Sequence, residues 1–113
     1  MKNLAEMHCV KISKLTPVAT TDEIKQYLDQ LPGWTMERIS GELRLVKKFS
    51  FKDFKQAIEF ADKIALMADE ENHHPAILVE WGSVTVNWWT HVIHELSIND
   101  AIMAAKTDKL QDK

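Results

Sequence analysis

The segment from Ser50 to Pro75, SFKDFKQAIEFADKIALMADEENHHP, decides how the rest of the chain can be arranged. Apolar residues recur along it at the spacing of one helical face, and charged residues fill much of the other side. Ser50, with Asp53 three residues on, is typical of a helix cap, and Pro75 cannot continue a helix. The segment therefore predicts one long amphipathic helix that ends at about Asn72. Its expected inner stripe consists of Phe51, Phe54, Ile58, Ala61, Ala65 and Ala68.

Shorter elements flank this helix on both sides. Alternating segments predict a hairpin before it and another after it, and capped segments predict a helix at each end. The flanking elements are a helix opened by Thr21-Asp22-Glu23 and ended by Pro32-Gly33, strands 34–39 and 42–49, strands 77–81 and 84–90, and a helix from Ser97 with inner residues Ile98, Ala101, Ile102 and Ala105. The order α-β-β-α-β-β-α predicts an α+β fold, a four-stranded antiparallel sheet with helices packed on one face.

Length and composition limit the possible classes of protein. A chain of 113 residues fits a single domain, and residues 1–20 show no clear period. We expect a partly ordered N-terminal arm at 1–20 and one domain at 21–113. No apolar run is long enough for a signal peptide or a membrane span, so no membrane association is expected. A net charge of −3 without a basic stripe argues against direct binding to nucleic acid.

The single cysteine, Cys9, cannot form an internal disulfide, which fits a reducing compartment, and we expect a cytoplasmic protein. The pair His8-Cys9 resembles half of a metal site, but no second pair stands at zinc-site spacing. The simpler interpretation is that the pair belongs to the arm.

Three of the five histidines fall close together: His73, His74 and His91. Imidazole exchanges protons near neutral pH, so the cluster favours acid–base chemistry. His73 and His74 alone could be explained by capping of the helix end. His91 ends a strand that returns to that helix end, and three imidazoles at one point are hard to explain by capping. A catalytic zinc is the rival interpretation, although adjacent histidines point apart, by about 100° in a helix.

Two acidic residues and the tryptophans have two interpretations each. Asp69 would share a helical face with His73 and could orient it, or it could be an exposed charge. Asp100 could be the N3 partner of Ser97, or it could support the histidines. Of the neighbours Trp88 and Trp89, one should enter the core while the other faces the opposite side of the sheet, and His91 is in register with Trp89.

Spaced motifs over most of the chain resemble the pterin-4a-carbinolamine dehydratases of bacterial type. They are Gly33-Trp34, Phe51-Lys52-Asp53-Phe54, Asn72-His73-His74-Pro75, Trp88-Trp89-Thr90-His91 and Asn99-Asp100, with Asp69 and Trp81 at further motif positions. The family architecture agrees with the α+β fold expected from the pattern. One departure is Asn72, where mammalian members have an acid. Trp81 matches an aromatic position, where we expect a packing residue.

The resemblance implies a hydro-lyase that removes water from 4a-hydroxytetrahydrobiopterin or a related tetrahydropterin. The product is a quinonoid dihydropterin, which returns the spent cofactor of an aromatic amino-acid hydroxylase to its reductase. The implied catalytic residues are His73, His74 and His91, supported by Asp69 and Asp100, with substrate contacts from Asn72, Trp34, Trp89 and Thr90. No metal and no cofactor are expected, since the pterin is the substrate.

Partners follow from the same resemblance. Family members are dimers or tetramers, and edge strands invite pairing, so a homodimer or homotetramer is expected. The alternative function is a protein-interaction or dimerisation module without required catalysis, since mammalian relatives also bind a homeodomain transcription factor through the long helix. That activity does not carry over, because this helix face is not strongly apolar in the sequence.

Overall fold

The computed structural model describes residues 3–111, and the elements within them follow the predicted order. Short 3-10 turns lie at Leu4–Glu6 and His91–Ile93. The main elements are α1 (Thr21–Asp29), β1 (Thr35–Ile39), β2 (Glu42–Ser50), α2 (Phe54–Glu71), β3 (Ala76–Glu80), β4 (Ser83–Trp88) and α3 (Ile98–Gln111). The α+β prediction is confirmed, with strand bounds that differ from the expected ones by one or two residues.

Polar side chains fix where α1 and α2 begin. Thr20, one residue before the predicted cap, accepts a hydrogen bond from the backbone of Glu23, whose carboxylate accepts one from the backbone of Thr20. Asp53 caps α2 by accepting a hydrogen bond from its first turn. Ser50, which we predicted as that cap, is instead the last residue of β2, because it pairs with Ser83 of β4.

The four strands form one antiparallel sheet in the order β1-β2-β4-β3. Ser40 and Gly41 join β1 to β2 with positive φ angles of 52° and 81°, the backbone of a type I′ hairpin turn. In the central pair, Leu45 lies opposite Trp88 and Phe49 opposite Val84. These four side chains are buried, so the helices cover this face of the sheet.

Helix α2 buries a stripe that differs from the predicted one except at Ala68, which is buried as predicted. Its buried residues are Ala57, Phe60, Ile64 and Ala68. Phe54 and Ile58, predicted to face inward, are 49% and 38% exposed. The helix is thus rotated by about one residue, or 100°, from the expected orientation. Because this orientation buries Phe60 and Ile64 where the predicted one would bury alanines, it removes more apolar surface from water.

Helix α3 is buried on nearly all sides. Ala101, Ile102 and Ala105 are buried as predicted, whereas Ile98 is only half-buried. Polar residues of the same helix are buried too, among them Asn99 and Asp100. A helix buried all round needs cover on the side away from the sheet. The N-terminal arm supplies that cover.

The arm packs its first turn on α3. Leu4 is only 1% exposed, and Lys106 of α3 donates a hydrogen bond to the carbonyl of Ala5. Residues 1, 2, 112 and 113, which belong to the predicted arm and domain, lie outside the described residues. Within the described part of the chain, no helix is both long and apolar enough to span a membrane.

The sheet has two edge strands, β1 and β3, and β3 leaves apolar side chains in contact with water. Leu78 on this strand is 57% exposed, and Trp81 in the turn that follows is 75% exposed. The prediction that Trp81 is a packing residue is therefore wrong for the isolated chain. Trp81 lies in the two-residue turn between β3 and β4, where residues 3–111 leave most of the indole exposed.

Candidate active site

The end of α2 sets the directions of the paired histidines. Asn72 adopts a left-handed conformation with φ of 54°, and its N–H still bonds to carbonyls of the last turn. The N–H of His73 bonds back to the carbonyl of Ala68 at 3.2 Å. This closure turns the chain sharply. As a result, the side chain of His73 enters the interior, where it is 6% exposed, while that of His74 remains exposed.

His73 is paired with a buried carboxylate. Its Nε2 lies 2.7 Å from Oδ1 of Asp100, whose side chain is fully buried. The imidazole also stacks on the indole of Trp88, with ring centroids 6.0 Å apart and planes 11° from parallel. A hydrogen bond at one edge and a ring at one face leave this imidazole little freedom to rotate.

Asp100 makes both of the contacts that its sequence position suggested. Its Oδ2 accepts hydrogen bonds from the N–H of Ser97 at 2.9 Å and from the hydroxyl of Thr90 at 2.8 Å. The hydroxyls of Thr90 and Ser97 also lie 2.6 Å apart. Donors on both oxygens hold the carboxylate in one orientation, so the first turn of α3 positions His73.

Asp69 does not pair with His73, contrary to the prediction. Helix α2 ends at Glu71, so His73 is no longer on the helical face that carries Asp69. Asp69 instead lies 3.0 Å from Nε2 of His74, in an exposed hydrogen-bonded pair whose side chains are 78% and 53% exposed. Such pairs add about 0–1 kcal/mol to stability.

His91 lies across the opening from the paired histidines. Its Nε2 is 3.0 Å from the carbonyl oxygen of His74, which ties the end of β4 to the end of α2. On its other side the ring stacks on Trp89, with centroids 4.2 Å apart and planes 15° from parallel. This arrangement brings the three imidazoles to one place, as the sequence suggested.

The partners of the three imidazoles determine which ring nitrogen carries the proton. Each Nε2 faces an oxygen that accepts, which is a carboxylate for His73 and His74 and a carbonyl for His91. Nε2 is therefore the protonated nitrogen in each neutral ring. Each Nδ1 keeps its lone pair and makes no hydrogen bond among the described residues. Three potential proton acceptors thus occur in one small region.

A cation lies behind the tryptophan that supports His91. The guanidinium of Arg44 packs on the indole of Trp89 at 3.7 Å and donates hydrogen bonds to Asn87 and Glu42. The pKa of the Glu42 carboxyl lies below its usual value. The hydrogen bond with His94 lowers it most, burial acts in the opposite direction, and Arg44 and Trp89 lower it further. Trp89 is therefore enclosed between His91 and Arg44, while Trp88 is the indole that enters the core, a choice that the sequence had left open.

A cleft of about 630 Å³ opens beside the histidines. It is lined by Asn72, His73, His74, Thr90 and His91, all predicted, and by Cys9, Val10, Lys11, Ile12, Glu71 and Val92, which were not. The arm residues carry no motif that marks a site, and only the pair His8-Cys9 drew attention to this region. Trp89, Asp69 and Asp100 lie behind the lining residues and contact them.

Trp34, a candidate for the cleft lining, lies elsewhere. Its indole is buried against Phe49, and its N–H donates to Asp108 at 3.0 Å, an oxygen that also accepts from Lys47. The structure therefore gives Trp34 a role in the core. The described residues contain no group of three or more His, Cys, Asp or Glu side chains placed to hold a metal ion.

Three bacterial proteins are similar to this chain over nearly its whole length. Proteins from Chlorobaculum tepidum, Syntrophotalea carbinolica and Marinobacter nauticus are 44%, 44% and 47% identical over 110 residues, which is 97% of this chain and 98–99% of theirs. Each is named, provisionally, a pterin-4-alpha-carbinolamine dehydratase.

Two solved structures share the fold. A transcriptional coactivator/pterin dehydratase from Brucella melitensis is 30% identical, with a TM-score of 0.74 over 83% of this chain and 98% of that chain. A pterin dehydratase-like protein, described as a RuBisCO assembly factor in the alpha-carboxysome, has a TM-score of 0.58 at 23% identity over 69% of this chain and 88% of its own. The second likeness concerns the fold alone.

The family match extends over residues 17–110, which contain all the histidines of the cleft. Membership implies a dehydratase, a hydro-lyase that acts on a pterin carbinolamine. With the match over most of the chain and relatives of 44–47% identity, the protein belongs to the pterin 4 alpha carbinolamine dehydratase family.

Proposed function

We propose that the protein dehydrates 4a-hydroxytetrahydrobiopterin, or a related tetrahydropterin, to the quinonoid dihydropterin and water by histidine acid–base catalysis. The observation that carries the proposal is the shared arrangement of His73, His74 and His91. Each Nε2 is bound to an acceptor and each Nδ1 is left with a lone pair, and all three residues line one cleft.

The reaction needs one proton delivered and one removed. The C4a–O bond breaks with its electron pair going to oxygen, and a protonated imidazole supplies the proton that turns the leaving hydroxide into water. The lone pair of a ring nitrogen forms the new C=N bond, and the proton of that nitrogen passes to a neutral imidazole. Nothing is oxidised or reduced. Groups that titrate near neutral pH can perform both transfers in turn.

We assign the proton transfers to His73 and His91 and substrate binding chiefly to His74. His73 is oriented by Asp100, and His91 by Trp89 and the carbonyl of His74. The two residues thus approach the cleft from different elements, which suits an acid and a base on one substrate. His74, more exposed and paired only with Asp69, is suited to contact and polarise the pterin. Asn72 and Thr90 are proposed to supply further contacts.

The deciding experiment is an assay of the purified protein on freshly generated 4a-hydroxytetrahydropterin. We expect dehydration faster than in buffer, with the same rate after treatment with a chelator. A rate equal to that in buffer would remove the proposal and favour an interaction module without required catalysis. Activity that vanished with chelator and returned with zinc would replace the imidazole mechanism with a metal mechanism.

The place of this reaction in metabolism is part of the same proposal. An aromatic amino-acid hydroxylase would supply the carbinolamine, and a reductase would consume the quinonoid product. In a coupled assay with limiting tetrahydropterin, hydroxylase and reductase, the protein should raise the steady-state rate of hydroxylation. If the protein dehydrates the carbinolamine but does not raise the rate of hydroxylation, the dehydration reaction does not serve this hydroxylase.

We further propose that the protein forms a homo-oligomer. Phe54, Ile58 and Leu66 leave apolar surface exposed along α2, and Leu78 and Trp81 do so at the β3 edge. Exposed apolar surface that is contiguous often marks an interface between chains. Light scattering should give a mass of two or four chains. A monomer at micromolar concentration would exclude self-association under those conditions.

A further inference from the structure

One wall of the cleft comes from the N-terminal arm. Cys9, Val10, Lys11 and Ile12, here called the arm wall, line the cleft together with His73, His74 and His91. The family match begins only at residue 17, so the arm wall precedes it. The three bacterial relatives nevertheless align over 110 of the 113 residues, which includes most of the arm.

A carboxylate at the end of α2 holds the beginning of the arm wall. Oε1 of Glu71 accepts a hydrogen bond from the N–H of Cys9 at 2.8 Å, and Oε2 lies 2.8 Å from Nδ1 of His8. The pair His8-Cys9 is therefore part of an attachment for the arm. Both bonds involve a charged acceptor, which makes them stronger than bonds between neutral groups.

A buried amide holds the next residue. Oδ1 of Asn99 accepts from the N–H of Val10 at 2.8 Å, and Nδ2 of Asn99 donates to the carbonyl of Val10 at 2.8 Å. Asn99 is only 1% exposed, whereas the side chain of Val10 is 55% exposed. The amide thus pairs with both backbone groups of Val10 as a neighbouring strand would. This fixes the position of the backbone independently of the Val10 side chain.

Both attachment points lie next to residues of the active site. Glu71 comes directly before Asn72 and His73, and Asn99 comes directly before Asp100. The turns that position the His73–Asp100 pair therefore position the arm wall as well. A segment that served only to cover α3 would need no contact with these two turns, because the first turn of the arm already packs on α3.

The charge of Glu71 keeps the arm attached at neutral pH. Burial alone would raise the pKa of Glu71, but the N–H of Cys9 and the imidazole of His8, with the charge of Lys106, hold it below its usual value. A lowered pKa in the folded state means that this attachment is present at pH values above the usual carboxyl range and is lost as the pH falls through the folded value.

We propose that the arm wall is part of the substrate-binding site, and that Glu71 and Asn99 are positioning residues that hold it against the bound pterin. The identity of the ligand rests on the proposed function, whereas the attachment of the arm does not. The arm wall would then bind substrate without taking part in proton transfer, so its loss should change KM more than kcat.

The first test compares Glu71→Ala with Glu70→Ala. Glu70 is the preceding residue of the same helix, is exposed, and makes no hydrogen bond or ion pair among the described residues. Glu71→Ala should raise KM about tenfold, because apparent affinity falls with the fraction of molecules in the binding-competent state, and should leave kcat within about twofold. Glu70→Ala should change neither. A purely structural attachment would lower the denaturant midpoint of Glu71→Ala without changing KM, and would overturn the proposal.

The second test needs no turnover. Cys9 is the only cysteine of the chain, so its alkylation by iodoacetamide reports on the arm wall. The stable pterin 7,8-dihydrobiopterin should slow this alkylation in the unchanged protein. In Val10→Pro, which removes the N–H that Asn99 accepts, Cys9 should react faster and the pterin should protect it less. Val10 is largely exposed, so this variant removes no apolar side chain from the core.

The two experiments distinguish failure of the arm proposal from failure of the proposed function. If the unchanged protein dehydrates the carbinolamine but bound pterin leaves Cys9 alkylation unaltered, the arm wall is not part of the site. If dehydration fails while pterin still protects Cys9, the proposed function is wrong and the binding role of the arm stands. Equal alkylation of Cys9 in Glu71→Ala and Glu70→Ala would refute the role of Glu71 in holding the arm.

Discussion

Replacing Asp100 by Asn tests whether the carboxylate sets the tautomer of His73. Oδ2 of Asp100 accepts from Ser97 and Thr90, so the amide oxygen of Asn should take that place and its NH2 group should face His73. His73 would then have to accept on Nε2, and its proton would move to Nδ1. The lone pair that we assign to proton transfer would be lost. We expect kcat to fall by about 10²-fold or more, the scale for a positioned acid or base.

The stability cost of this variant follows from the same contacts. Hydrogen bonds to a charged group contribute about 1.5–3 kcal/mol, so the unfolding free energy should fall by about that amount while the protein still folds. Asp69→Asn makes the same change beside His74 in an exposed pair, and should cost less than about 1 kcal/mol. Turnover and denaturant midpoints are measured on both variants. Folded Asp100→Asn with kcat within about threefold of the unchanged protein would refute the tautomer argument.

Four further predictions follow from the site. His91→Ala should lower turnover about 10²-fold with little change in the denaturant midpoint, since the ring is exposed, and an active folded variant would contradict its role. Arg44→Met removes the cation behind Trp89 and should lower kcat about tenfold by displacing His91, whereas the control Lys48→Met, on the same sheet face, should leave kcat unchanged. Equal kcat values in the two variants would show that the packing of Arg44 on Trp89 does not hold His91 in place. The enzyme-dependent rate should vary between mildly acidic and mildly basic pH, and a flat profile would count against imidazole catalysis. Burial, followed by the charges of Glu71 and Asp100, raises the pKa of Cys9 from 9.0 to about 12, so the alkylation rate should rise only as the pH approaches 12. The stability that this raised pKa adds is complete below pH 9 and should be lost as the pH rises over the same range. An alkylation rate that already reached its plateau at pH 9 would show that the pKa of this thiol is not raised.

The order of the elements could be predicted because each has local signals. The hairpin between β1 and β2 and the end of α2 before Pro75 follow from spacing and turn chemistry. The alternation of Trp88 and Trp89 predicted that one indole enters the core, but it could not show which. The face that α2 buries could not be predicted in this way. Apolar residues occur on more than one side of this helix, so the choice depends on the volume that Phe60 and Ile64 fill against the sheet.

The site was predictable where its residues are chemically distinctive. The three histidines and Asp100 stand out in the sequence, and the structure places all four at one point. The partner of Asp69 was predicted wrongly, because one left-handed residue, Asn72, changes the direction of everything after it. The arm wall could not be predicted, since its position depends on hydrogen bonds from distant residues to its backbone, which no side-chain pattern reveals.

The attachment of the arm also limits when the cleft can form during folding. Val10 and Asn99 are 89 residues apart, and Ala5 and Lys106 are 101 apart. The arm must therefore wait until α3 has been synthesised before it can dock. Contacts between such distant residues are slow to form because the intervening chain must be ordered first. We expect the sheet and helices to assemble before the arm docks, so that an early folding intermediate already carries the paired histidines but has an open cleft.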